Sequence, residues 1–169
     1  MPAGGARASR GEILITIDAD SVMSPRMLTE VDRVLRTGRY VGGGVPIRPE
    51  RMSAGIVLTG LVLCLLLLHR GISGGAFWCG REDFEAIGGF SEDWLTAEDV
   101  DFGVRLKAHG RRHGKRYGTL WRAPIRTSCR KFDAFGDWFF VRNLGLLRRA
   151  LRGGDAKMGN RFFYDFPHD

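Results

Sequence analysis

The sequence predicts an α/β fold, a mostly parallel sheet flanked by helices. Three observations carry that expectation. An apolar, β-branched run, Ile13-Leu14-Ile15-Thr16-Ile17, reads as a buried strand and stops at two carboxylates, Asp18 and Asp20. Residues 24–38 and 96–109 carry apolar side chains at helical spacing. Gly-rich or Gly-bracketed apolar runs at 40–45 and 74–80 read as further strands between helical stretches. Helices alternating with strands in this way are the pattern of α/β proteins.

The elements follow in order. Residues 1–10 are small and basic with no apolar core, so they are not a secretory signal. The strand over 11–21 points Asp18 and Asp20 to one side, because side chains along a strand repeat with period two. Ser24-Pro25 reads as a helix cap and first position; Leu28, Val31, Val34 and Leu35 form the inner face, and Gly38 closes the helix. Gly42-Gly43-Gly44 marks a strand that a backbone or ligand approaches closely. Residues 48–51 are a basic loop. Residues 54–69 are an apolar helix, too short for a typical membrane span. It is expected to be a core helix, with a membrane-interface helix as the alternative that its flanking Arg48, Arg51, His69 and Arg70 favour. Residues 74–80 are a strand, and 81–87 a short helix stopped by Gly88-Gly89. Residues 96–109 form a helix ended by Gly110, 115–121 a strand, and 125–132 a strand or extended loop. Residues 135–151 read as an amphipathic basic helix. The expected division is a domain over 1–152 and an aromatic tail over 153–169.

Composition narrows the function. The chain has 169 residues, enough for one domain with a core, and a net charge of +7, which points to an anionic partner. Arginine dominates the basic set, which suits phosphate. No basic arm, zinc-finger spacing or RNA-binding aromatic signature occurs, so nucleic acid is not the expected partner. Cys64, Cys79 and Cys129 are odd in number and widely spaced, which predicts a reducing, cytoplasmic setting.

Three clusters carry candidate chemistry. Asp18 and Asp20 together invite a divalent metal, Mg²⁺ or Mn²⁺, with phosphate. The competing reading is a strand end whose acids face solvent. Glu98-Asp99-Val100-Asp101 follows a loop containing Trp94. Thr96 and Asp99 resemble a capping box, and Asp101 can pair with Arg105. Asp99 as a general base needs burial to offset the pull of the helix N-terminus on its pKa. Arg130 and Lys131 suit a diphosphate or, more plainly, a wet basic strand end.

Taken together, Asp18-Ala19-Asp20, Gly75 through Arg81 to Gly88-Gly89-Phe90, Glu98-Asp99, and Thr127-Ser128 through Arg130-Lys131-Phe132 resemble family 2 glycosyltransferases. The resemblance covers roughly residues 5 to 150. It implies the A-type nucleotide-sugar fold and an inverting, metal-dependent transfer, of hexosyltransferase type, from a nucleoside-diphosphate sugar to an acceptor hydroxyl. It implies that Asp20 binds the metal and that Asp18 lies near ribose or metal-bound water. Gly75 and Ala76 would line the donor, Asp99 of the Glu98-Asp99 pair would be the base, and Trp94 an acceptor platform. Arg130 and Lys131 would hold the leaving diphosphate.

The family begins with a strand–helix–strand unit that binds the nucleotide base, and only about ten residues precede Gly11 here. The expectation is a partial fold, its C-terminal two-thirds, completed by a complementing chain or a second copy. The alternative function is a non-catalytic module of the same fold that binds a partner chain or a membrane surface, at the inner face of the membrane. A different metal-dependent phosphotransfer enzyme ranks last, since no Gly-rich lysine loop is present.

Overall fold

The computed structural model describes residues 2–91 and 98–145. The chain opens with α1 (Pro2–Ala8), β1 (Ile13–Thr16), β2 (Ser21–Val22) and α2 (Met27–Leu35). Next come β3 (Tyr40–Val45), β4 (Ile47–Pro49), α3 (Ala54–Arg70), β5 (Ala76–Gly80) and α4 (Arg81–Ala86). After residues 92–97, which lie outside the described set, follow α5 (Glu98–Arg112), β6 (Arg116–Thr119), β7 (Ile125–Thr127), α6 (Arg130–Phe135) and α7 (Phe139–Arg142).

The strands form two sheets. The larger has the order β1-β5-β3-β6, the smaller β2-β7-β4. The expectation of a mostly parallel sheet is corrected. β5 runs antiparallel to both β1 and β3, and β2 antiparallel to β7. Only β3 with β6 and β4 with β7 are parallel. The cause is that β5 is buried on both faces, Phe77 and Cys79 to one side, Ala76 and Trp78 to the other. A strand buried on both faces has the same apolar composition whichever way it runs, so composition carries no direction.

Helices cover both faces of the larger sheet. On one side α4 and α5 pack over Leu14, Val41, Phe77 and Cys79, joined by an aromatic cluster of Phe84, Phe90 and Phe102. Phe90 stacks on Phe102 with centroids 4.4 Å apart. The Gly88-Gly89 turn, at φ 76° and 66°, delivers Phe90 into this cluster, and a side chain on Gly89 would meet the Phe84 ring. On the other side α2 buries Met27, Val31 and Val34 against Val45, Ala76, Trp78 and Ile125. Leu28, expected on that inner face, is exposed, because the helix begins at Met27 after a turn closed by the Met27 N–H on the Ser24 carbonyl.

The glycine run of β3 makes room for a side chain. Trp78 lies opposite Gly43, and its Nε1–H donates to the Gly44 carbonyl at 3.3 Å. A Cβ on Gly43 would stand 2.7 Å from the indole Cζ2 and also strike the Gly118 backbone. Gly110, expected to end α5, lies within it, where its missing side chain lets the helix rest on Val41. The turn to β6 falls at Gly114 instead, φ 67°.

α3 departs from expectation in a different way. It has the predicted length, an N-cap at Ser53 whose Oγ accepts the Ile56 N–H, and a left-handed C-cap at Gly71. It is not a core helix, however. Only Gly55, Ile56 and Thr59 are buried, and Val57, Leu58, Leu61, Leu65 and Leu68 are 37–59% exposed. Its first turn packs on the chain near Asp137, and α7 lies against it. Among the described residues no helix is long and apolar enough to cross a membrane.

Candidate active site

The acid pair sits just beyond β1. The strand ends at Thr16, and the chain turns so that the Ser21 N–H donates to the Asp18 carbonyl at 3.0 Å. The acids therefore occupy a turn rather than a strand, and period-two alternation does not set their directions. The turn is held from far along the chain. Ser21 pairs with Thr127, their hydroxyls 2.8 Å apart, and the Ser128 N–H donates to the Asp20 carbonyl at 3.1 Å. The chain then enters α6, whose start is tied by the Arg130 N–H to Ser128 Oγ at 3.2 Å. Arg130 and Lys131 are thus the first residues of a helix, not a strand end, and the β2–β7 pairing carries them to the acid turn.

Lys131 is the cation that meets the pair. Burial pushes its pKa down, the Asp20 and Asp18 carboxylates push it back up, and Arg130 adds to the lowering. Asp18 responds in the opposite sense. Burial raises its pKa first, Asp20 and Asp99 raise it further, and Lys131 offsets part of this. Asp18 therefore feels Asp20, Asp99 and Lys131, and Lys131 feels both Asp18 and Asp20.

Asp99 comes from the first turn of α5. Its Oδ1 accepts the Val100 N–H at 2.8 Å. Burial raises its pKa more than this bond and its own backbone N–H lower it. The side chain nonetheless stays open to solvent. Glu98 beside it is raised as well, by burial and then by Asp99. Tyr117 on β6 lies in the same field. Its hydroxyl donates to the Ser73 carbonyl at 2.7 Å, and burial pushes its pKa up to about 12. Asp101, the remaining acid of the cluster, pairs with Arg105 at 2.7 Å as its spacing predicts, and so is structural.

On the smaller sheet a recess of about 280 Å³ opens beside Asp20, with Glu50, Arg126, Thr127 and Ser128 in its wall. Glu50 and Arg126 are not among the sequence-predicted site residues; Arg126 is the exposed middle residue of β7, after buried Ile125 and before half-buried Thr127.

Gly75 and Ala76 occupy other positions. Ala76 is 2% exposed, packed in the core under α2. Gly75, at φ 134°, is pressed against Ile47 and the Val45 carbonyl. Trp94 and Thr96 lie outside the described residues, as does the chain beyond 145.

Among the described residues no group of three or more His, Cys, Asp or Glu side chains gathers to hold a metal. Two neighbouring carboxylates that repel each other still fit a hard divalent cation whose remaining ligands are water and phosphate, the usual habit of Mg²⁺. The arrangement can therefore hold a cation with a phosphate group, place a lysine beside that phosphate, and present a carboxyl of raised pKa as proton acceptor. Set against protein-family models, curated proteins and solved structures, the chain matches none of them.

Proposed function

We propose that this chain is a glycosyltransferase domain that moves a sugar from a nucleoside-diphosphate sugar to an acceptor hydroxyl with inversion. One observation carries the reading. Asp18 feels the charges of Asp20, of Asp99 and of Lys131, the last two far from it in sequence. These are the residues that the resemblance to family 2 glycosyltransferases assigns to metal, base and leaving group.

The chemistry is a single displacement. Asp99 takes the acceptor's hydroxyl proton, the hydroxyl oxygen bonds to the anomeric carbon, and the bond from that carbon to the diphosphate breaks. The nucleoside diphosphate leaves with the electron pair. Lys131 and Arg130 hold its charge, an electrostatic contribution strongest where water is excluded. Asp20 with Asp18 would hold a Mg²⁺ or Mn²⁺, which when bound would supply further neutralisation of the diphosphate. A raised pKa suits Asp99 to the task, because a base works best when its pKa approaches the working pH.

Calorimetric titration of a panel of nucleoside-diphosphate sugars with Mn²⁺ tests this. One donor should bind, and Asp20→Ala should abolish that binding. Asp99→Asn should leave donor binding intact and lower transfer by about 10²–10⁴-fold. Absence of binding by every donor with either metal sinks the reading.

A second reading, the same fold without turnover, draws on Ala76. That residue is closed inside the core, so one of the two residues assigned to line the donor offers it no contact. Under this reading the domain serves as a docking module, and its partner binding is indifferent to Asp20→Ala and Asp99→Asn.

A further inference from the structure

We propose that α3 lies flat in the surface of an anionic bilayer and holds the domain there as a peripheral protein. This does not rest on the transferase reading, since α3 supplies no residue to the acid site.

The exposed side of α3 is apolar along its whole length. Val57 and Leu58, Leu61, Cys64 and Leu65, then Leu68 succeed one another at intervals of three and four, so they form one stripe. The helix has 17 residues and runs about 25 Å at 1.5 Å per residue, and the stripe from Val57 to Leu68 takes up about 17 Å of it. That is enough for a helix lying in the interface and too little for a typical span. No charged side chain occurs between Ala54 and Leu68, and the stripe offers a protein partner no polar group for a specific hydrogen bond.

The rim of the stripe selects the occupant. Exposed Met52 and Arg48 precede the helix, and His69 and Arg70 end it. Exposed Trp138, Arg142 and Leu144 belong to the segment around α7, which packs on α3. From Arg51 to Arg81 there is no Asp or Glu. Of the nearby acids, Asp133 and Asp137 are both engaged by the Arg51 guanidinium, at 2.6 and 2.7 Å, and Glu50 is exposed between Arg48 and Arg51. An apolar stripe with a cationic and indole border complements an apolar layer topped by negative headgroups. Tryptophan favours that boundary because one end of its ring system is apolar and the other donates a hydrogen bond.

Co-sedimentation of the full chain with phosphatidylcholine vesicles, with and without about 30% phosphatidylglycerol, provides the test. The wild type should bind the anionic vesicles about tenfold more tightly than the neutral ones, and added salt should narrow the gap. The double variant Leu61→Glu/Leu65→Glu should weaken anionic-vesicle binding by at least about tenfold while keeping the wild-type Tm, since both positions are exposed. Leu28→Glu, an equally exposed apolar site on α2, should change nothing. Three results overturn the proposal: no vesicle binding, equal loss in Leu28→Glu, or a dimer in sedimentation velocity that Leu61→Glu/Leu65→Glu dissolves. The last would assign the stripe to a second copy of this chain. No donor is present in these assays, so their outcome is separate from that of the donor titration.

Discussion

At Asp99 two opposed influences meet, and burial prevails over the backbone N–H groups of the helix start. The sequence poses that contest without deciding it. Residues 98–101 read equally well as helix-start acids, because burial is a property of the folded chain that their spacing does not display. Asp101 is the contrasting case, since its pairing with Arg105 is local and spacing alone predicts it. Asp18 yields a prediction of definite sign. Its folded pKa lies above its usual value of 3.8, so the folded state binds that proton more tightly than the unfolded chain does. Stability is then lost as pH rises from about 3.8 through the folded value, and the penalty is complete at neutral pH. Asp18→Asn should raise Tm at pH 7 without divalent cation, on the order of 1 °C given the solvent around the group. The difference should vanish below pH 3.8. Thermal melts across pH check this, and adding Mn²⁺ should stabilise the wild type and not the variant.

Among the elements, β3 carries out its sequence most fully. Its limits at Tyr40 and Val45 match the reading, while the reason for its glycines lies in Trp78, on a strand some thirty residues later. A sequence displays the space and not the side chain that fills it. Gly43→Ala should destabilise the protein by about 3 kcal/mol, because the Gly118 backbone in its way cannot yield as a flexible side chain would. Denaturant unfolding measures this. α6 teaches a related lesson. It was read as part of a strand or loop, yet Arg51 fastens it by gripping Asp133 at one position and Asp137 at another. Arg51, with Ser53 second, holds the Asp137 carboxyl below the usual range. That contribution is present above pH 3.8 and disappears as pH falls through the lower folded value. Arg51→Ala should therefore lower Tm near neutrality and lose less of it in acid. Because α6 carries Lys131, the same variant should weaken donor binding. α3 misled the sequence reading for a third reason, since an apolar helix buried in a core and one left on the surface share a composition.

Across the whole molecule, the order of β1, α2, β3, α3, β5, α4, α5 and β6 was legible, while α1, β2, β4 and α6 and the direction of the strands were not. Hydrophobic runs report burial, and β5 is buried whichever way it runs. The two-faced core follows from this strand. Phe77 and Cys79 serve the α4/α5 layer while Trp78 serves the α2 layer, so one short segment binds three layers. Trp78→Ala should cost about 3–5 kcal/mol, since it empties the contact with α2 and leaves the glycine strand uncovered. Near-ultraviolet circular dichroism and denaturant unfolding together test that loss. The candidate site was half legible: the acids and the basic pair stood out as types, and their convergence was visible only through the resemblance.

The pairing of Ser21 with Thr127 joins positions 106 residues apart. Closing so large a loop is entropically expensive and is rewarded only after the intervening chain has ordered. The acid turn and Lys131 should therefore come together late in folding, after the transition state. A donor with Mn²⁺ should accordingly slow unfolding in stopped-flow experiments and leave the refolding rate nearly unchanged. On a ribosome, nascent chains arrested before β7 emerges would lack the Lys131 side of the candidate site altogether.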